Sequence, residues 1–264
     1  MQWISALVAG LGLGSMYGLM ALGFHLTFAV SATVNFAQGL AACALYGLVV
    51  ERLAVRPFAR RGSNAWLMAT VALGIVLDNV VMLTFGTEPR SLPSPLAQSS
   101  LHIGGAGLGV YPLQLVIPAV GLLLAAVLHY ALRRSRWGVA MLAVVQNRDA
   151  ARLMGIPIQR TIAAAFAVSA LLAGIAGVLI APLFNVQSDM GTVFGLKAFA
   201  VAILGGLSSA WGVMIAGLLF GAAEAMITAT LGSSYTQIIT FGLLIVVLAI
   251  RPNGLFGRAE VRKV

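Results

Sequence analysis

The chain has 264 residues, 60% of them hydrophobic and 9% charged, with a mean hydropathy of +1.00. Soluble domains carry about a quarter charged residues, so this composition excludes one and implies a polytopic membrane protein. The net charge of +9 does not indicate nucleic acid, because all but Arg90 and Lys197 of the 16 Lys and Arg fall in three groups between apolar runs.

Those groups are Arg52, Arg56, Arg60 and Arg61; then Arg133, Arg134, Arg136, Arg148, Arg152 and Arg160; then Arg251, Arg258, Arg262 and Lys263. Basic loops between apolar runs face the cytosol, so all three are assigned there, and the C-terminal tail 251–264 with them. The lone Cys43 excludes a disulfide framework and a cysteine-based zinc site.

A span needs about 20 apolar residues, and Ile4–Val30 supplies them. Its start lacks a basic n-region and its apolar run is too long for a signal peptide, so it is expected to be a retained first span. Gly10, Gly14 and Gly18 recur on one face; they either admit a neighbouring backbone or are glycines tolerated in lipid. Ser31–Gly39 is a polar interruption containing Asn35, Gln38 and Gly39, and Leu40–Val50 after it is about half a span. That run crosses only if the polar stretch also lies within the membrane.

Ala65–Phe85 reads as a full span carrying Asp78 and Asn79, and Gly86–Val110, rich in Pro, Gly and Ser, as an external loop. Tyr111–Leu132 returns to the cytosol and Thr161–Phe184 goes back out. Asn185–Gly195 reads as a short external connection, and Leu196–Leu204 as a short segment that breaks at Gly205–Gly212. Val213–Leu231 is a further span with Glu224 and a Gly217/Gly221 step; Gly232–Tyr235 is a turn and Thr236–Ile250 the last segment. The expected architecture is all-α, one polytopic transmembrane helix bundle over 1–264 with about eight membrane segments, two of them short. The interruptions at Asn35–Gly39 and Gly205–Gly212 fall one in each half. They are either unwound backbone lining a path or ordinary interfacial turns.

An ionisable group in an apolar run costs about 2.5–3.5 kcal/mol on insertion scales, so His25, Asp78, Lys197 and Glu224 each need a reason. Glu224, near mid-depth, is either a pathway carboxylate or a hydrogen-bonded structural one. Asp78, beside Asn79, is a candidate for the path. Lys197 stands at the outer end of its short segment and is expected to snorkel to the interface; His25 is expected to be a bundle histidine rather than a ligand. The candidate pathway residues are therefore Asn35, Gln38, Gly39, Asp78, Gly205, Gly206, Ser208 and Glu224. Phosphate-loop, H-E-x-x-H and G-x-S-x-G motifs are absent, so no catalytic, metal or ATP site is expected on this chain. Energy for uphill transport would have to enter through a partner.

Arg133–Arg160 is the place for that partner. Asn147 or Asp149 can N-cap a short helix through Ala150, Ala151, Arg152, Leu153 and Met154, Gly155 suits its C′ position, and Pro157 stops it. Leu153 and Met154 beside Arg148 and Arg152 would fill a groove on a soluble protein, or else the helix lies on anionic headgroups.

Four stretches resemble the membrane permease subunits of branched-chain amino acid ABC importers. Asn35-Phe36-Ala37-Gln38-Gly39 resembles N-F-A-[HQ]-G, and Arg136-Trp137-Gly138 through Gly155-Ile156 resembles the family's cytosolic coupling loop. Lys197-Ala198-Phe199 through Leu204-Gly205-Gly206-Leu207-Ser208-Ser209 and Gly212, with Glu224 beyond, resembles K-A-F…L-G-G-[IL]-G-S…G…E. Arg251-Pro252-Asn253-Gly254-Leu255-Phe256-Gly257 resembles R-P-x-G-[IL]-x-G.

The resemblance implies a bacterial inner-membrane importer. Its parts would be this subunit, a second similar permease, two ATP-binding subunits on the cytosolic face and an extracytoplasmic solute-binding protein. Cofactors on this chain would be none, ATP being bound by the partners. It implies that Asn147 to Ile156 docks on the ATP-binding subunits, and that leucine, isoleucine, valine or similar small amino acids and amides are carried. The chain departs from the pattern between Gly39 and Glu51, where about one span is missing, and at Asp78 and Leu142, where relatives often have Gln and Arg. Two other readings are an ATP-independent channel or facilitator, and a degenerate permease-like scaffold lacking that span.

Overall fold

The computed structural model describes residues 2–31, 48–59, 66–89, 91, 94–95, 111–187, 190–206, 209–251 and 254–256. Asn35, Gln38, Gly39 and Ser208, most of the 86–110 loop and the tail beyond Phe256 lie outside them. Ten α-helices can be named among the described residues. They are α1 (Gln2–Ser31), α2 (Arg56–Ala59), α3 (Trp66–Phe85), α4 (Pro112–Arg134), α5 (Arg136–Gln146), α6 (Arg148–Leu153), α7 (Ile158–Ile180), α8 (Met190–Gly205), α9 (Ala210–Leu231) and α10 (Ser233–Ile250). A π-helical turn, Glu51–Val55, leads into α2.

Four of these, α1, α4, α7 and α9, are long and apolar enough to cross a membrane; Met68–Thr84, Met190–Gly205 and Ser233–Val247 are shorter apolar stretches of α3, α8 and α10. The chain is a polytopic helical membrane bundle. α1 is its centre: 72% of its apolar window is buried inside the protein, against 28–44% for the other three. A helix apolar on all sides has to be surrounded, and α1 packs against α4, α7, α8 and, most extensively, α9. Met16, Leu19, Leu22, Phe24 and Leu26 fill the space between these helices and are fully buried. A second cluster, Val50, Ala54, Val55 and Phe166 with Leu73, ties the π-helical turn to α3 and α7.

Two expected boundaries are corrected. Asn185–Gly195 is not a connection throughout, because α8 already begins at Met190. Gly191, Thr192 and Gly195 suggest a loop, but the burial of Gly195 inside the bundle outweighs their poor helix propensity. The Arg133–Arg160 segment is also more ordered than a loop with one short helix. Ser135 accepts a hydrogen bond from Gly138 N at 2.9 Å and starts α5, whose Gly138, Met141 and Val144 face the core at three-residue spacing.

Candidate functional site

The strongest correction concerns Lys197. It does not snorkel: only 8% of the residue is exposed, and Nζ meets the Glu224 carboxylate in an ion pair inside the bundle. The reason is the early start of α8. Lys197 stands about 10 Å inside the helix rather than at its outer end. Its ammonium also donates to Tyr17 Oη of α1 at 3.3 Å and lies 5.5 Å from that ring's centroid. Tyr17 is held by Phe220 of α9, edge-on at 5.8 Å, and by Phe194 of α8 at 5.9 Å. Three helices thus meet on one charge pair. A buried pair survives desolvation only when hydrogen bonds satisfy the remaining polar atoms. Here one atom is left over: Glu224 Oε2 is buried and has no donor.

Asp78 lies elsewhere. Its Oδ2 accepts from Thr192 Oγ1 of α8 at 2.6 Å, while Oδ1 is buried without a partner. α8 therefore holds carboxylates on two other helices, Asp78 of α3 through Thr192 and Glu224 of α9 through Lys197. Asn79 only donates back to Ile75 O at 2.8 Å. His25 is buried in α1, 6% exposed.

The glycines of α1 and α9 are brought face to face. A Cβ on Gly14 would lie 2.3 Å from Gly217 O, one on Gly221 would lie 2.2 Å from Gly14 N, and one on Gly10 would lie 2.7 Å from Gly221 O. A Cβ on Gly217 would meet the backbone of Gly18 at 2.7 Å. Small residues at four-residue spacing let helix backbones touch, which is how a membrane bundle gains dispersion energy without a hydrophobic effect. Glu224 follows Gly217 and Gly221 on the same helix, so this contact sets its position beside Tyr17.

The described residues on either side of the break between α8 and α9 are tied by hydrogen bonds. Gly205 and Gly206 are buried, Ser209 caps α9 by accepting from Gly212 N at 3.1 Å, and Leu255 N donates to Leu204 O at 2.7 Å. The R-P-x-G-L-F segment thereby satisfies a carbonyl at the end of α8 that has no partner within the helix.

At one end of the bundle, Asn147 rather than Asp149 caps α6: its Oδ1 accepts from Asp149 N and Ala150 N, each at 3.0 Å. Gly155 takes φ +77°, and Gly155 N to Arg152 O with Ile156 N to Ala151 O, both 3.0 Å, close the helix in a Schellman motif. Ala151 is buried and Ile156 packs on the core, so α6 is anchored on its inner side. Leu153 and Met154 project outward, 89% and 81% exposed. Arg148 and Arg152 of the same helix are exposed as well. Nearby, Arg56 donates to Gln159 Oε1 at the start of α7 and lies 3.9 Å from the buried Glu51.

Sequence reasoning missed Tyr17, Thr192 and the buried Thr236 and Thr240 as polar partners within the bundle. Thr236 and Thr240 carry a signal in their four-residue spacing; Tyr17 and Thr192 carry none, since their partners are remote in the chain.

Comparison with known proteins places the chain in one family. The profile described as "Branched-chain amino acid transport system / permease component" matches residues 38–248. The chain is 31% identical over 304 positions to the high-affinity branched-chain amino acid transport system permease protein LivH of Salmonella typhimurium, covering 100% of this chain and 98% of the relative. It is 31% identical over 303 positions to LivH of Escherichia coli K12 and 33% over 308 positions to BraD of Pseudomonas aeruginosa, with the same coverage. The 304 aligned positions against 264 residues leave about 40 positions of the relative without a counterpart here. No solved structure matches the chain.

Proposed function

Because this chain belongs to the branched-chain amino acid permease family, we propose that it is a membrane subunit of an ATP-driven importer for branched-chain or similar small amino acids. It lies in the bacterial inner membrane with α5, α6 and the C-terminus in the cytosol. A second, similar permease completes the pathway, an extracytoplasmic binding protein delivers the solute, and two ATP-binding subunits drive the cycle. The observation that carries this reading is α6. A six-residue helix capped at both ends, anchored by Ala151 and presenting Leu153 and Met154 at its end beside two exposed arginines, is built to be gripped. Nothing in this chain's own packing requires two large apolar side chains to stand in water. Closure of the ATP-binding subunits pulls on Asn147–Ile156, and α5 and α7 transmit the displacement to α1, against which both pack.

The test is Leu153→Asp in the importer reconstituted in proteoliposomes. The side chain is almost fully exposed, so stability is expected to stay within about 0.5 kcal/mol of wild type. Losing a Leu anchor worth about 1.5–3 kcal/mol when buried against a partner, and adding a charge, lowers ATP-dependent leucine uptake at least about tenfold. Unchanged coupled uptake removes α6 from this role. ATP-independent leucine flux through the purified chain alone refutes the importer reading and makes the protein a facilitator.

A further inference from the structure

Apart from its ends, this bundle keeps a particular set of polar side chains inside. Thr228 Oγ1 and Thr236 Oγ1 are 2.9 Å apart across the α9–α10 hairpin, and Thr228 also donates to Glu224 O at 2.8 Å. The antiparallel register that sets Thr228 opposite Thr236 sets Glu224 level with Thr240, which is 2% exposed. A seam of hydroxyls therefore runs from the Gly232 turn down to the Glu224–Lys197 pair and Tyr17. The turn is on the side opposite the basic groups, where a solute arrives from outside.

At the foot of the seam two valences are open. Lys197 has three N–H donors, of which Glu224 and Tyr17 engage two. Glu224 Oε2 is buried without a donor. Each side chain of the pair keeps 11% exposure although Oε2 itself is buried, so the carboxylate has to turn before that oxygen meets a solute. One spare cationic donor beside one spare anionic acceptor is the complement of a zwitterion whose carboxylate and ammonium share one carbon.

We propose that Lys197 and Glu224 form the station in the pathway that receives the charged ends of the transported amino acid. The α-carboxylate takes Lys197 Nζ and the α-ammonium takes Glu224 Oε2 as the pair opens, and the pair recloses on itself when the solute leaves. The reclosed pair means that the empty station never presents an isolated charge to the apolar interior, which would be far costlier than the pair. The hydroxyls of Thr228, Thr236 and Thr240 donate to carbonyls of their own helices, which leaves their oxygens to accept from the ammonium of the solute on its way. This inference rests on the importer reading above and adds a place and a polarity for the substrate.

The alternative is that the pair merely ties α8 to α9, and the experiment separates the two. Replacing both partners together, Lys197→Met with Glu224→Leu, leaves neither an unpaired charge nor an unpaired amide, and such apolar replacements of buried pairs are commonly neutral for stability. The doubly substituted subunit is co-purified with its partners, reconstituted with the binding protein, and assayed with radiolabelled leucine and ATP beside the wild-type importer. The expected result is a wild-type yield of assembled complex and a 10- to 100-fold loss of uptake, roughly the loss of one or two charge-assisted hydrogen bonds. Full uptake overturns the station and leaves a structural tie. Should the double variant fail to assemble, Lys197→Arg decides. Its fork claims both Glu224 oxygens and keeps the tie, so the station predicts assembled complex with reduced uptake, and wild-type uptake refutes it. Absence of ATP-dependent leucine uptake in the wild-type importer is the separate outcome that would strike the parent reading.

Discussion

Gly221→Ala is the sharpest test of how the bundle is built. The added methyl would sit 2.2 Å from Gly14 N and 2.3 Å from both Gly10 O and Gly14 Cα, where ordinary contact begins at 3.4 Å. All three atoms are backbone, so no rotamer change relieves the overlap, and α1 and α9 have to part by about 1.2 Å. Contacts along the Gly10–Gly18 seam then open by an amount that forfeits about half or more of each dispersion well. Overpacking a tight core costs about 1–3 kcal/mol, and this substitution is expected at or above the upper end because backbone is met from several directions. The same change moves Glu224, one turn on, away from Tyr17 and Lys197, so uptake falls with stability. The assay is unfolding in mixed detergent micelles followed by the fluorescence of the chain's four Trp. Gly177→Ala and Gly242→Ala are the controls: a Cβ there meets nothing within 4 Å, and both are expected within about 1 kcal/mol of wild type. If Gly221→Ala unfolds at the same detergent fraction as Gly177→Ala, the close approach of α1 and α9 is wrong.

Two smaller perturbations probe the ends of the bundle. Asn147→Ala removes the acceptor for Asp149 N and Ala150 N, which costs about 1 kcal/mol of local helix stability. Faster amide exchange is expected over α6, with α5 and α7 unchanged; uniform exchange across all three would mean that α6 does not depend on its cap. Gly254→Ala meets two obstacles, φ +79° and a Cβ 2.4 Å from Ile203 O, so the Leu255–Leu204 contact is expected to break. Chymotryptic cleavage after Phe256 should then accelerate while the core stays folded. Wild-type cleavage would show that the tail is not held by this junction.

Several features were legible because they are local. Spans follow from runs of apolar residues, and the α6 caps from Asn147, Gly155 and Pro157 within eleven positions. The packing glycines could be identified at four-residue spacing, though not the helix each would meet. Lys197 was misread because Gly191, Thr192 and Gly195 look like a loop in isolation; burial against α1 and α9 carries the helix through them. α5 was overlooked although Ser135 and the 138, 141, 144 spacing announce it, because the surrounding charges dominate the segment.

The amino-acid sequence alone determined that this is a membrane bundle, roughly where it crosses and which loops are basic. All of these depend on a segment's own composition relative to lipid or water. The azimuth of each helix was decided only by the tertiary structure. A helix apolar on every side carries no stripe to say which face turns inward. The pairing of Lys197 with Glu224, 27 positions apart, and of Asp78 with Thr192, 114 apart, arises because α8 packs between α1 and α9 and reaches α3 through Thr192, so that each carboxylate has one oxygen bonded to protein rather than facing lipid.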